Sequence, residues 1–279
     1  MTSTTVPTLA FNDGHTIPQL GFGVYRVDPD QTERIVSDAL EVGYRHIDTA
    51  SLYGNEHGVG RAIEASGIPR DELFITTKLW NSDQGAQQAL DAIDLSLEKL
   101  GLDRVDLYLI HWPVPSRNLF VETWKAFEQI KADGKATSIG VSNFRTQDLD
   151  RLAAETGTVP VINQVELHPL FTQVPLRDYD AAHGILTESW GPLGHAAVDM
   201  FQEPAIAAAA TAHGVSPAQV IIRWHLQNGL VVIPKSNARE RMAQNFDVFG
   251  FELTAQELAG ISALNRDQRV GGDPDAVGG

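Results

Sequence analysis

Short apolar runs recur along most of the chain, and a stretch with helical periodicity separates most neighbouring runs. Several runs are rich in β-branched residues and almost continuously apolar, which is typical of parallel strands buried on both faces. The sequence predicts eight strands, over residues 20–24, 46–48, 73–77, 105–110, 137–141, 161–165, 185–188 and 230–233.

The stretches between these runs predict helices. Residues 30–42 and 85–100 each place their apolar side chains on one side of a helix. Gly43, Gly101 and Gly134 follow three of the helical stretches, where a residue with left-handed backbone geometry commonly ends a helix.

Repeated strand-then-helix units without a break in composition predict an α/β fold, a (β/α)8 TIM barrel formed by one domain over residues 1–279. A doubly wound sheet is the alternative. Asn12-Asp13-Gly14 lies between two short apolar segments, at 9–11 and 16–17, and predicts a β-hairpin at the bottom of the barrel. The Gly- and Asp-rich tail, about 265–279, is expected to lie over one rim.

Polar or functional side chains follow nearly every predicted strand. A (β/α)8 barrel builds its active site from the carboxyl ends of its strands, so these residues are expected to converge on one pocket. They are Asp48, Lys78, His111, Ser142, Asn143, Gln164, Glu188, Trp190, Lys235 and Ser236.

Four residues of this group and its surroundings suit proton donation to an oxygen atom. The hydroxyl of Tyr53 has an ordinary pKa of about 10. A neighbouring Lys78 ammonium, held by Asp48, is expected to lower that pKa and make Tyr53 a general acid. His111 could orient a substrate oxygen. Each residue also has a structural alternative: a packing tyrosine, a buried ion pair and a loop histidine.

Composition excludes several classes of function. The chain carries 21 Lys and Arg against 36 Asp and Glu, a net charge of −15, which disfavours nucleic acid and anionic membranes as partners. It has no cysteine, so disulfides and thiolate metal sites are excluded. We expect a cytoplasmic protein, because the sequence shows neither a secretory signal nor an apolar run of about 20 residues.

Four ordered motifs resemble those of the aldo-keto reductases. They are GYRHIDTASLYGNE at 43–56, LYLIHWP at 107–113, SIGVSNF at 138–144 and IPKS at 233–236. The similarity covers residues 11–264 and is greatest to the bacterial 2,5-diketo-D-gluconate reductases. It implies a catalytic tetrad of Asp48, Tyr53, Lys78 and His111.

The resemblance also implies that NADPH binds without a Rossmann fold, and no Gly-x-Gly-x-x-Gly pattern follows a predicted strand. The positions implied for cofactor binding are Gly23, Val24, Ser142, Asn143, Gln164, Trp190, Gly191, Leu193, Lys235, Ser236, Arg241, Gln244 and Asn245. Lys235, Ser236 and Arg241 match a site for the adenosine 2′-phosphate, to which Arg239 could add. The substrate pocket implied by the resemblance includes Tyr25, Trp80 and Trp112.

Three positions depart from the commoner family pattern. Ala238 replaces a larger polar or basic residue, Gln244 replaces a Glu, and Tyr25 replaces a tryptophan. The first two bear on the affinity for NADPH and on its selection over NADH, and the third alters the substrate wall.

The sequence therefore predicts a metal-free, NADPH-dependent reductase of aldehydes and ketones, such as sugar ketones, α-dicarbonyls and small aldehydes. Two alternatives stay open: an NADPH-binding regulatory barrel without turnover, and a metal-dependent hydrolase on the same barrel. A monomer is expected, as is usual in the family.

Overall fold

Eight parallel strands form the centre of the molecule in a computed structural model that describes residues 6–277. They follow one another in chain order around a single sheet, and a two-stranded antiparallel hairpin precedes them. The strands are β1 (Thr8–Ala10), β2 (Thr16–Pro18), β3 (Phe22–Gly23), β4 (His46–Asp48), β5 (Phe74–Leu79), β6 (Val105–Ile110), β7 (Ala136–Ser142), β8 (Ile162–Glu166), β9 (Leu186–Trp190) and β10 (Val231–Val232).

The first and last strands of the sheet meet through Leu20 and Val232. These residues form a parallel bridge. Gly21 N donates to Val232 O at 2.9 Å, and Val232 N donates to Gln19 O at 3.0 Å. A doubly wound sheet has two free edges, whereas this sheet closes on itself. The prediction of a (β/α)8 barrel is confirmed.

Helices cover the outside of the barrel. Those after β3 and β5 begin and end within one residue of the predicted bounds. The helices are α1 (Pro29–Val42), α2 (Glu56–Ser66), α3 (Ala86–Leu100), α4 (Phe120–Ala132), α5 (Thr146–Glu155), α6 (Val174–Ala182), α7 (Pro204–His213), α8 (Pro217–Gln227), α9 (Arg239–Phe246) and α10 (Ala255–Ser262).

Three glycines allow the chain to turn from a helix towards the next strand. Gly43, Gly101 and Gly134 have φ values of 127°, 65° and 76°. L-residues rarely adopt these values, so the predicted left-handed positions are confirmed.

The β1–β2 hairpin closes the bottom of the barrel. Phe11 and Ile17 are buried in a cluster with side chains from the amino-terminal halves of several strands. Asp13 fixes the hairpin turn, because its Oδ2 accepts from Lys131 Nζ at 2.6 Å and from Ser138 Oγ at 2.9 Å. The predicted position of the hairpin is confirmed.

A buried carboxyl on α6 gives the fold a testable pH dependence. Asp180 Oδ2 accepts from Thr187 Oγ1 at 3.0 Å, and burial raises the pKa of Asp180 from 3.8 to about 7. Because the pKa of Asp180 is higher in the folded state than in the unfolded state, its stabilising contribution is complete below the unfolded pKa. The contribution is lost as the pH rises through 7. Ionisation of Asp180 therefore lowers the free energy of unfolding by about 2–3 kcal/mol between pH 5 and pH 8.

Asp180→Asn keeps the acceptor and abolishes the titration. Between pH 5 and pH 8, we expect the free energy of unfolding to fall by about 2–3 kcal/mol less in the variant than in the native protein. Urea unfolding at both pH values measures the difference. Equal losses in the two proteins would contradict the raised pKa.

Within residues 6–277, no single helix has the length and apolar character of a membrane span. Among the helices that the structure describes, only α7 and α8 taken together have that length and composition, and they meet at a bend of 97°.

Candidate active site

A cavity of 830 Å³ opens at the carboxyl ends of the barrel strands. It brings together most of the residues that the sequence singled out. Those that line it are Gly23, Tyr25, Asp48, Tyr53, Trp80, His111, Trp112, Ser142, Asn143, Gln164, Trp190, Gly191, Leu193 and Lys235.

A buried ion pair forms the floor beside Tyr53. Lys78 Nζ donates to Asp48 Oδ1 at 2.5 Å and to Thr49 O at 2.9 Å. Burial by itself lowers the pKa of Lys78, but Asp48 and Tyr53 outweigh it and the net shift is upward. Lys78 is therefore a fixed ammonium, and its Nζ lies 5.2 Å from the centre of the Tyr53 ring.

The acidity of Tyr53 differs from the expectation. Burial raises the pKa of Tyr53 to about 12, although Lys78 acts in the opposite direction. The predicted fall below 10 is wrong, because a sequence does not reveal how completely neighbouring groups exclude water from a hydroxyl. The phenol is fully protonated at neutral pH, and Lys78 limits the cost of forming its phenolate.

His111 packs edge-on against Tyr53 in the cavity lining. Their ring centres lie 5.7 Å apart, and Trp80 packs edge-on against His111 at 5.2 Å. Burial, and then the charge of Lys78, hold the pKa of His111 well below its usual value. The imidazole is thus neutral at pH 7 and can donate one hydrogen bond.

Gln164 joins the ion pair to a second buried carboxyl. Its Nε2 donates to Asp48 Oδ2 at 2.8 Å and to Glu188 Oε2 at 2.9 Å. Burial, reinforced by the charge of Asp48, raises the pKa of Glu188. Since both N–H groups of Gln164 are used, its amide oxygen remains as an acceptor at the cavity.

A second hydrogen-bonded group in the cavity lining contains Ser142, Asn143 and Trp190. Ser142 Oγ donates to Gln164 O at 2.7 Å, and Asn143 Nδ2 donates to His111 O at 2.9 Å. Trp190 Nε1 donates to Asn143 Oδ1 at 2.9 Å. Asn143 has a φ of 63°, so the chain turns sharply here and directs the asparagine amide towards the site.

A cluster of three cations borders the cavity: Lys235 and Arg26 line it, and Arg241 lies near Lys235. Burial lowers the pKa of Lys235, and the nearby charges of Arg241 and Arg26 lower it further. Within the described part of the chain, none of these three cations has a carboxylate partner within 4 Å. In a protein of net charge −15, crowded and unpaired cations favour an anionic ligand.

Arg239 does not join this cluster. Its guanidinium pairs with Asp38 at 3.0 Å and with Glu41 at 2.5 Å, both on α1. The structure therefore gives no support to a part for Arg239 in the anion site, because α9 begins here against an acidic face of α1 that the linear sequence does not reveal.

Seven of the residues predicted for the site lie outside the cavity lining, in addition to Arg239. One of them, Glu188, is the buried carboxyl that Gln164 binds. Lys78 is buried behind Asp48, and Val24 is buried at the end of β3. Ser236 Oγ accepts from Ala238 N at 3.1 Å just before α9. Arg241, Gln244 and Asn245 are on α9 itself, where Asn245 is buried and the other two are exposed.

The cavity also contains residues that the sequence analysis missed. His195 lies between the rings of Trp190 and Tyr25, at centre distances of 5.5 Å and 6.1 Å. Arg26 stacks on Tyr25, with its guanidinium carbon 5.1 Å from the ring centre. The tail contributes further lining: Val270, Gly271, Gly272 and Val277. The signals in the sequence were the position of Arg26, next to Tyr25, and the predicted place of the tail over one rim.

Among residues 6–277, no cluster of three or more His, Asp or Glu side chains could hold a metal ion. This finding gives no support to the metal-dependent hydrolase.

Comparisons with known proteins agree with the geometry. Residues 18–266 match the model of the aldo/keto reductase family. An aldo-keto reductase of Mycolicibacterium smegmatis is 53% identical over 268 residues, which cover 96% of this chain and 97% of the relative. Methylglyoxal reductase DkgA of Escherichia coli K12 is 48% identical over 271 residues, which cover 97% and 98%.

Solved structures match equally well. The crystal structure of a Gox0644 mutant in complex with NADPH superposes with a TM-score of 0.93 at 47% identity, covering 98% of this chain and 99% of that one. The resemblance drawn from the four sequence motifs is confirmed. The chain belongs to the aldo/keto reductase family and is an oxidoreductase.

Proposed function

We propose that this protein reduces small aldehydes and ketones to alcohols with NADPH, and that Tyr53 is the general acid. Its substrates are compact carbonyl compounds: α-dicarbonyls, sugar ketones such as 2,5-diketo-D-gluconate, and small aldehydes. The observation that carries the proposal is a protonated Tyr53 and a neutral His111 side by side in the lining of one cavity, with the Lys78–Asp48 pair beside Tyr53. The DkgA relative, a methylglyoxal reductase, and the NADPH complex of Gox0644 support the substrate class and the cofactor.

The residues present fit NADPH. Lys235, Arg26 and Arg241 supply unpaired positive charge for phosphate groups, and α9 begins without a side-chain cap on its free N–H groups. We propose that Ser142, Asn143 and the free Gln164 oxygen hold the carboxamide, and that Trp190 packs on the nicotinamide ring.

Bound NADPH supplies the hydride that the carbonyl carbon accepts. The carbonyl oxygen becomes an alkoxide, which is a stronger base than a phenolate, so Tyr53 can donate its proton even with a pKa of about 12. Lys78 stabilises the phenolate that remains, and Asp48 holds Lys78 in place. Neutral His111 donates to the same oxygen and orients the carbonyl group.

The test of this function is the decay of NADPH absorbance with a panel of carbonyl compounds. We expect the purified protein to oxidise NADPH with an α-dicarbonyl, a keto sugar and a small aldehyde. It should use NADH more slowly, because NADH lacks the 2′-phosphate that the cation cluster would bind. Binding of NADPH without turnover of any panel member would overturn the proposal and favour the regulatory barrel. A cytoplasmic location and a monomeric state stay predictions.

A further inference from the structure

The tail crosses the mouth of the cavity along a defined path. Arg266 N and Gln268 N both donate to Leu170 O at 3.1 Å. Two successive amides then bind one carboxylate: Val270 N donates to Glu166 Oε1 at 2.6 Å, and Gly271 N donates to Glu166 Oε2 at 2.8 Å. Glu166 is therefore the attachment point of this segment.

Glu166 is built to stay charged. It is the last residue of β8, and its side chain is fully buried. Burial raises the pKa of Glu166, but His168, whose Nε2 lies 3.2 Å from Oε1, and the two tail amides outweigh it and the net shift is downward. Arg269 lies 4.0 Å from Oε2. A buried carboxylate with these partners is costly to disrupt.

The anchored main chain lies directly on two aromatic rings of the site. A Cβ atom at Gly271 would come within 2.3 Å of Trp190 Cη2 and 2.7 Å of Glu166 Oε2. At Gly272 it would come within 3.1 Å of Trp112 Cη2. These contacts leave no space for a side chain on the inner face of the tail, so its backbone is itself the wall of the cavity.

We propose that Glu166 is a positioning residue that determines the size of the carbonyl compound this enzyme accepts. Glu166 is not part of the cavity lining, so it acts only through the tail. By holding two amides, it presses the main chain of Gly271 and Gly272 onto Trp190 and Trp112. The part of the cavity that takes the carbonyl compound then fits compact carbonyls and excludes branched or aryl-substituted ones. This inference rests on the proposed reductase function.

Glu166→Gln tests the anchor, because it places an N–H group opposite one of the two tail amides. Two donors then face each other, and one of the two hydrogen bonds is lost. We expect hydrogen exchange at the Val270 and Gly271 amides to accelerate by about 10–100-fold, the loss that corresponds to one hydrogen bond to a charged group. The KM for an α-dicarbonyl should rise about 10-fold with kcat nearly unchanged, while the KM for a bulky aryl ketone stays constant or falls.

Gly271→Ala tests the wall with the carboxylate intact. Its Cβ atom must displace the tail from Trp190 and from Glu166 Oε2, so the same opposite shifts in KM are expected. Glu155→Gln, at an exposed glutamate paired with Arg151 on α5, is the matched control and should change none of these values.

Unchanged amide exchange in Glu166→Gln would overturn the anchor. A parallel rise in KM for small and bulky substrates in both variants would overturn the role in size selection. The exchange measurement needs no turnover, so a failure of the proposed reductase function would appear separately, as native protein that does not oxidise NADPH.

Discussion

Replacing Tyr53 by Phe is expected to lower kcat by about 10²–10⁴-fold, the usual contribution of a positioned proton donor. Only the hydroxyl is lost, because the ring keeps its neighbours Tyr25 and His111, at centre distances of 5.0 Å and 5.7 Å. The dissociation constant for NADPH should therefore change by less than about twofold. NADPH oxidation with an α-dicarbonyl and a separate binding titration measure the two effects.

Tyr108→Phe is the matched control. The Tyr108 hydroxyl is buried in the wall of the barrel and has no hydrogen-bond partner among residues 6–277, while its ring stacks on Phe127 at 4.5 Å. The same chemical change should leave turnover unaffected there. If Tyr53→Phe kept native kcat, the proton would come from another group and the assignment of the general acid would be wrong.

Lys78→Met should affect both stability and catalysis. The substitution leaves the Asp48 carboxylate buried without its cation, which costs about 3–5 kcal/mol when one partner of a buried pair is removed. It also removes the charge that favours the Tyr53 phenolate, so we expect kcat to fall by at least about 10²-fold. Urea unfolding, followed by tryptophan fluorescence, gives the first effect, and NADPH oxidation gives the second.

The double variant Asp48→Asn/Lys78→Met separates these effects. It contains no unpaired charge, and the asparagine oxygen can still accept from Gln164 Nε2. Stability should recover by half or more, and activity should stay low. Recovery of activity together with stability would mean that the ion pair only supports the fold.

The barrel and most of its site could be predicted because local patterns encode them. A continuous apolar run predicts a buried strand. A polar residue at its end, such as Asp48 or His111, indicates where the strand stops and the active-site edge begins. Three of the four proposed catalytic residues lie at or next to such ends, and Lys235 of the cation cluster follows the last strand. Each signal lies within a few residues of the structure that it indicates.

The features that could not be predicted depend on contacts between distant segments. The tail has no hydrophobic periodicity, so nothing in its sequence indicated that Glu166, more than 100 positions earlier, binds two of its amides. Arg239 looked like an anion ligand until α1 brought Asp38 and Glu41 beside it. The pKa of Tyr53 likewise depends on neighbours that only the folded chain assembles.

The hairpin beneath the barrel has a kinetic consequence. With Phe11 and Ile17 buried among the lower strand ends, the cavity opens on the opposite side. We expect both reactants to enter from that side. The molecule that lies deeper in the cavity then has to arrive first and depart last, so we expect an ordered rate law.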